Sequence, residues 1–247
     1  MISAKYELAG HIIEIRSIYR AVHIMWRAFA SDGEPEFVVE TSAADVEEEK
    51  ARARISAARE GRTELYSSDE QFEALAVYRL VSERMTEYDT LLFHGSAIAL
   101  DGEAYIFTAP SGTGKSTHTA LWREYFGERA VMINDDKPLI HVTAEGSRVF
   151  GTPYNGKHRL GVNSSAPLRA ICLLERGETN EIEHIDFSKA YGTIVQQTFR
   201  PRNGEALART LALIDVLKEH VAFYRLRCNM EIDAARVAYE GMRGDHR

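Results

Sequence analysis

Cysteine and long apolar runs are both scarce in this chain of 247 residues. Its two cysteines, Cys172 and Cys228, show neither a CxxC pair nor a zinc-ligand spacing. That argues against a disulfide scaffold, a dithiol redox motif and a zinc ribbon, and leaves two reduced thiols as the expectation. No apolar stretch approaches the roughly 20 residues that a membrane helix needs. The first residues, MISAKYELAGHIIEIRS, lack the basic start, apolar centre and small-residue cleavage site of a secretory signal. The expectation is a cytoplasmic protein with no membrane partner. Basic surplus is missing too: 30 Lys and Arg face 37 Asp and Glu, for a formal charge of −7. A nucleic-acid-binding domain is normally basic, so no nucleic-acid partner is expected. Internal repeats, low-complexity tracts and the NKxD signature of guanine binding are also absent. A homo-oligomer is compatible with the composition.

What remains is a folded globular chain, 45% hydrophobic and 27% charged. Its first part carries strand-like runs, HIIEI (11–15) and EFVVE (36–40), the second after the turn formers SDGEP. TSAADVEEEKARAR reads as a short exposed helix. The acidic run Glu47–Glu49 is expected on a solvated face, with Glu48 and Arg52 paired at i,i+4. SSDEQFEALAVYRLVSERMTEY reads as a packing helix, with Ser67 and Glu70 as a capping box and Phe72, Ala76 and Leu80 on one face. A soft boundary falls near Tyr88, dividing an α+β part (1–88) from a nucleotide-binding core (89–247). The first part is a candidate source of acceptor-binding residues.

The second part begins with SAIAL-DG-EAYIFTA. Asp101-Gly102 suits a two-residue hairpin turn in which both central residues take positive φ. The second strand runs into APSGTGKSTHT (109–119). STHTALWREYF follows as a helix, with Leu121, Trp122, Tyr125 and Phe126 on one side. AVMI (130–133) is then a short buried strand ending in Asn134-Asp135-Asp136. Strand, loop, helix and strand make a βαβ unit with a right-handed crossover. Further on come the turn-rich GTPYNGKHRLG, the strand AICLLE (170–175) and the amphipathic helix EALARTLALIDVLKEH, with Leu207, Leu211 and Ile214 inward. The strand AFYRLRC and the helix IDAARVAYEGM close the core.

The loop matches the end of the phosphate-binding pattern G-x-x-x-x-G-K-[ST] at Gly114, Lys115 and Ser116, with Ala109 in place of the first glycine. Gly112 and Gly114 let backbone N–H groups turn inward around oxygen atoms, and the helix that follows points its positive end at the same place. The nucleotide-binding set is Ser111, Gly112, Thr113, Gly114, Lys115, Ser116 and Thr117. Lys115 has the reach for the β- and γ-phosphates, and the Ser116 hydroxyl for Mg²⁺. Asp135 and Asp136 stand at the carboxyl end of a parallel strand, on the edge that carries the loop. Adjacent residues point to opposite sides, so one Asp can serve the metal while its neighbour faces the acceptor.

Hairpin register adds His94. If Leu100 pairs with Glu103, His94 falls opposite Ala109 at the mouth of the loop, where an imidazole can meet metal or phosphate. His118, just inside the helix, reads as structural. Lys157, His158 and Arg159 form a basic cluster that is either a solvated surface or a cationic loop closing over the moving phosphoryl group. Arg200 and Arg202 give a weaker signal of the same kind.

FHGSA, SGTGKST and NDDK, in that order and spacing, resemble the superfamily of HPr kinase/phosphorylase and phosphoenolpyruvate carboxykinase. The resemblance covers about Phe93 to Glu175, and HRLGVN (158–163) weakly resembles the loop after the HPr kinase active site. It implies an α/β fold with a P-loop-containing mixed β-sheet core, distinct from adenylate-kinase-like folds. Residue by residue, it gives Lys115 to phosphate, Ser116 and Asp136 to the metal, Asp135 to acid/base work, and His94 a place near metal and phosphate. Carboxykinases are much longer, and their extra carboxylate-binding residues have no counterpart here. The first ninety residues do not resemble the N-terminal domain of bifunctional HPr kinases.

The functional expectation is an ATP-dependent kinase, using Mg²⁺ or Mn²⁺. It would transfer the γ-phosphate to a hydroxyl acceptor: a serine in a peptide or protein, or a small metabolite such as free serine. The catalytic set is Asp135, His94, Lys115, Lys157 and Arg159. The alternatives are a non-catalytic ATP-binding regulatory module and a simple NTPase.

Overall fold

The structure is a computed structural model that describes residues 1–59, 67–156 and 160–244. The chain divides into two compact units, Met1–Arg84 and Met85–Arg247.

In the first unit, β1 (Ile2–Leu8) and β2 (His11–Ser17) form an antiparallel hairpin. Its turn is Ala9-Gly10, with φ of 52° and 85°. α1 (Arg20–Trp26) leads to β3 (Phe37–Glu40), which pairs parallel to β2. Alternation on β2 buries Ile13 and Ile15. α2 (Ala43–Arg59) and α3 (Asp69–Met85) follow, so the helix expected to be short has 17 residues.

Two expectations shift here. Glu48 pairs with Arg52 at 2.6 Å as the spacing suggests, but Glu49 in the same acidic run is buried. Both of its carboxylate oxygens accept N–H bonds from Arg79, a partner 30 residues away that periodicity cannot show. The capping box lies one residue later than expected. Ser68 N–H donates to Gln71 Oε1 at 3.0 Å, and Gln71 N–H donates to Ser68 Oγ at 3.4 Å. Both registers satisfy the pattern, because glutamine caps as glutamate does. The observed register buries Phe72, Glu73, Ala76 and Val77, and leaves Leu80 on the flank. The buried Glu73 carboxylate accepts N–H bonds from Ile18 (2.6 Å) and Tyr19 (2.8 Å) and a bond from the Thr41 hydroxyl (2.7 Å).

The second unit is built on a mixed sheet with helices on both faces. Its strands are β4 (Thr90–Leu92), β5 (Ser96–Leu100), β6 (Glu103–Thr108), β7 (Ala130–Asn134), β8 (Leu139–Thr143), β9 (Gly146–Phe150), β10 (Ser165–Arg176), β11 (Glu181–His184) and β12 (Ala222–Cys228). The order is β4-β8-β9-β10-β6-β5-β7, with β12 on β10 and β11 on β12. β10 starts antiparallel to β9 and continues parallel to both β6 and β12.

Asp101 and Gly102 have φ of 52° and 88°, and the hairpin register pairs Leu100 with Glu103 and Ser96 with Phe107. The βαβ expectation needs a correction. α4 (Lys115–Phe126) does carry the chain to β7, but β5 lies between β6 and β7, antiparallel to both. The hairpin already occupies that side of β6, so the crossover delivers β7 to the far side of β5.

Pleating sorts the core onto two faces. Ala104, Ile106, Ile171 and Leu173 face α5 (Phe187–Gln197) and α6 (Gly204–Leu217). Tyr105, Phe107, Ala170, Cys172 and Leu174 face Trp122 of α4 and Ala235 and Ala238 of α7 (Asp233–Met242). Two helix faces differ from expectation. On α4 the buried face is His118, Thr119 and Trp122, while Tyr125 is exposed. On α6 it is Ala206, Thr210, Leu213, Ile214 and Leu217, with Leu211 exposed. Apolar residues run nearly all round α6, so two stripes compete. The stripe with small Ala206 and Thr210 packs inward. Among the described residues, no helix is long and apolar enough to cross a membrane.

Candidate functional site

His94, the glycine loop, Asp135 and Asp136 lie at the edge where β6 and β7 end and β5 begins. The Gly112–Gly114 stretch links β6 to α4, with φ of 81° and 125° at its glycines. A Cβ at either would meet nothing within 4 Å, so backbone conformation, not space, demands glycine there. Gly114 gives α4 no side-chain cap, and Ser116 and Thr117 are exposed in the first turn. A helix start of this kind leaves backbone N–H groups without intrahelical acceptors. Lys115 Nζ donates to Ala109 O at 3.0 Å. Burial pulls the Lys115 amine below its usual pKa, and the Lys137 charge adds to that.

His94 precedes β5, where the hairpin register extends toward it. Its carbonyl accepts from Thr108 Oγ1 at 2.9 Å, and its N–H donates to Gln197 O at 2.7 Å. The neighbouring Gly95 is tight against β6: a Cβ there would come within 2.8 Å of an Ile106 methyl. Gly95 N–H in turn donates to Asp136 O at 3.0 Å. This brings His94 Nε2 to 3.3 Å from Asp136 Oδ1.

The acidic pair leaves β7 in a turn shaped by Asn134, which is fully buried. Asn134 Oδ1 accepts from the backbone N–H groups of Asp136 (2.9 Å) and Lys137 (2.6 Å). Its Nδ2 donates to Thr152 O (3.2 Å), Thr152 Oγ1 (3.0 Å) and Tyr154 O (3.3 Å). The two carboxylates then diverge. Asp135 is 3% exposed; its Oδ1 accepts from Gly156 N–H at 2.6 Å. Its Oδ2 is buried and has no hydrogen-bond partner among the described residues. Asp136 turns to His94 and to Lys137, whose Nζ lies 3.7 Å from Oδ1. Burial pushes the Asp136 carboxyl up. The His94 hydrogen bond and the Lys137 and Lys115 charges outweigh that and hold it below the usual carboxylate range.

A cavity of about 510 Å³ opens on another flank of the loop. Gly112, Thr113, Gly114 and Thr117 form one wall, and Leu121, Leu174 and Met230 give it an apolar lining. None of His94, Asp135 and Asp136 lines it, so loop and cavity adjoin while the acids lie elsewhere around the loop. Arg176, at the end of β10, lines the cavity and donates to Gly112 O at 2.7 Å. His118 is buried against Trp122, whose Nε1–H donates to His118 Nε2 at 3.1 Å. Lys157, His158 and Arg159 lie outside the described residues. Among the described residues, no group of three or more His, Cys, Asp and Glu forms a metal cage.

A family model described as SynChlorMet cassette protein ScmC matches residues 66–232, more than half of the chain. The chain belongs to the ScmC family. The matched span includes His94, the glycine loop, Asp135 and Asp136. No curated protein matches the sequence. Among solved structures, the Hpr(Ser) kinase/phosphatase from Coxiella burnetii is similar over 62% of this chain and 99% of its own, at 10% identity and a TM-score of 0.36.

Sequence reasoning did not single out Asn134, Lys137 or Arg176. Asn134 carried a signal, since an Asn just before two residues in a turn is a candidate Asx clamp. Lys137 stood in the NDDK motif with no role attached to it, and Arg176 carried no signal, because their surroundings come from segments distant in the chain.

Proposed function

We propose that this chain is an ATP-dependent phosphotransferase that moves the terminal phosphoryl group to a hydroxyl. The acceptor would be a serine in a peptide or protein, or a small metabolite such as free serine. The observation that carries the reading is the divergent carboxylate pair beside the glycine loop. Asp135 points inward with Oδ2 unpartnered, and Asp136 points at His94 and Lys137.

Phosphoryl transfer rests mostly on positioning and charge stabilisation. The Gly112–Gly114 backbone and the uncapped start of α4 would seat the phosphates. Lys115 would offset their charge. Asp135 would take the acceptor proton as the new O–P bond forms and the bond to the ADP oxygen breaks. Ser116 and Asp136 would hold Mg²⁺ or Mn²⁺, which would supply further neutralisation of the phosphate oxygens. Those two oxygen donors fit such an ion, which takes one or two protein oxygens and fills its shell from phosphate and water. His94 would orient Asp136. Lys157 and Arg159 are proposed, on sequence alone, to steady the moving group. The cavity has the size and apolar lining suited to a nucleoside, within the roughly 300–1,000 Å³ typical of ligand sites.

The test follows the phosphate. Purified protein is incubated with γ-labelled ATP, Mg²⁺ and size-fractionated bacterial extract, with Asp135→Asn as control. Label on a small molecule or on a peptide, lost in the control while ATP still binds, supports the reading and sorts the acceptor. ATP binding with no labelled product beyond background overturns it in favour of a regulatory module. Label released only as inorganic phosphate makes the protein an NTPase. Full transfer by Asp135→Asn removes the base assignment.

A further inference from the structure

An ammonium group and an imidazole are arranged about the Asp136 carboxylate. Lys137 Nζ and His94 Nε2 both approach Oδ1, at 3.7 and 3.3 Å. An ammonium held beside a carboxylate that serves a metal is placed to donate to a phosphate oxygen on the same metal.

Lys137 is also anchored in a way that a solvated lysine is not. Its N–H is held by Asn134 Oδ1 at 2.6 Å, and its carbonyl accepts from Thr152 Oγ1 at 2.8 Å. The next carbonyl, of Pro138, accepts from Phe93 N–H at 3.0 Å. Both peptide groups of Lys137 are therefore fixed, and its side chain leaves a rigid root toward the site, with 26% of its surface exposed.

We propose that Lys137 is a second phosphate-binding lysine of this site. It would approach the polyphosphate from the end of β7 while Lys115 approaches from the start of α4. The ammonium neighbouring Asp136 Oδ1 would hydrogen-bond a phosphate oxygen, so the residue that positions the metal-binding carboxylate would also grip the group being transferred. This rests on the phosphotransferase reading above.

The experiment measures binding of tripolyphosphate with Mg²⁺ by calorimetry, a readout independent of turnover. Wild type, Lys137→Met, Lys137→Arg and Lys115→Met are compared. Loss of one charge-assisted phosphate contact should weaken binding about 10-fold or more in Lys137→Met. Lys137→Arg should hold within about 3-fold of wild type, because the charge is kept. If Lys137→Met binds as wild type does while Lys115→Met fails, Lys137 is only an ion-pair partner and the inference falls alone. If wild type itself ignores tripolyphosphate, the phosphotransferase reading falls with it. Should Lys137→Met fail to fold, Lys137→Gln against Lys137→Arg decides. Equal binding by those two overturns the inference, and weakening confined to Gln supports it.

Discussion

His94 Nε2 sits 3.3 Å from Asp136 Oδ1, and the sheet itself arranges this meeting. His94 enters β5 at the edge where Asp136 leaves its antiparallel neighbour β7, and Gly95 N–H donates to Asp136 O at 3.0 Å beside the contact. The backbone bonds of His94 do not involve its ring. His94→Ala should therefore leave the fold intact and free the Asp136 carboxylate to reorient. Losing such an orienting partner costs roughly 10–100-fold in metal affinity. Mn²⁺ titration in the presence of nucleotide reads this directly. Unchanged affinity would show that Asp136 needs no help from the ring.

Gly156 bears on the other acid. A Cβ there would lie 3.0 Å from Asp135 Oδ2 and 3.3 Å from its Cγ. Gly156→Ala is predicted to press on the carboxylate that the proposal uses as base. The expected result is transfer slowed about 10-fold or more with nucleotide binding kept, since small misplacements of a reacting group are costly. Single-turnover rates beside nucleotide affinity separate the two effects. A loss of nucleotide affinity at full single-turnover rate would contradict this placement of Asp135.

His118 predicts a pH dependence of stability. Burial pushes its imidazole pKa down to about 3, so the folded ring is neutral and accepts from Trp122 Nε1–H. Between about 6.5, the ordinary value, and that depressed value, the unfolded chain binds the proton and the folded chain does not. Stability contributed by the neutral ring is therefore complete above pH ~6.5 and drains away as pH falls toward 3. His118→Gln keeps an acceptor for Trp122 without the titration. Thermal melts from pH 7 to pH 4 should show wild type losing more Tm than the variant. Parallel curves would place the acid sensitivity elsewhere.

Local chemistry was legible in the sequence, and long-range pairing was not. Asp101-Gly102 announced a turn needing two positive φ values, and the register that followed set His94 near the end of β6. The loop glycines and the adjacent acids could be read from type and spacing alone. Glu49 could not, since its burial depends on Arg79, which the helix pattern of α2 does not contain. The anchoring of Lys137 could not be read from NDDK, because Thr152 holds its carbonyl from 15 residues further on. The insertion of β5 between β6 and β7 was implied by the hairpin, yet a βαβ reading treats the two parallel strands as neighbours. On α6 the difficulty was different: leucines on several faces made small Ala206 and Thr210 the deciding residues.

Asn134 ties together two stretches that Thr152 and Gly156 also join, through Lys137 O and Asp135 Oδ1. One end of its amide sets the turn through Asp136 and Lys137; the other suspends the strip from Thr152 to Tyr154, just ahead of Gly156. A displacement of that strip would therefore load the turn from which both acids project.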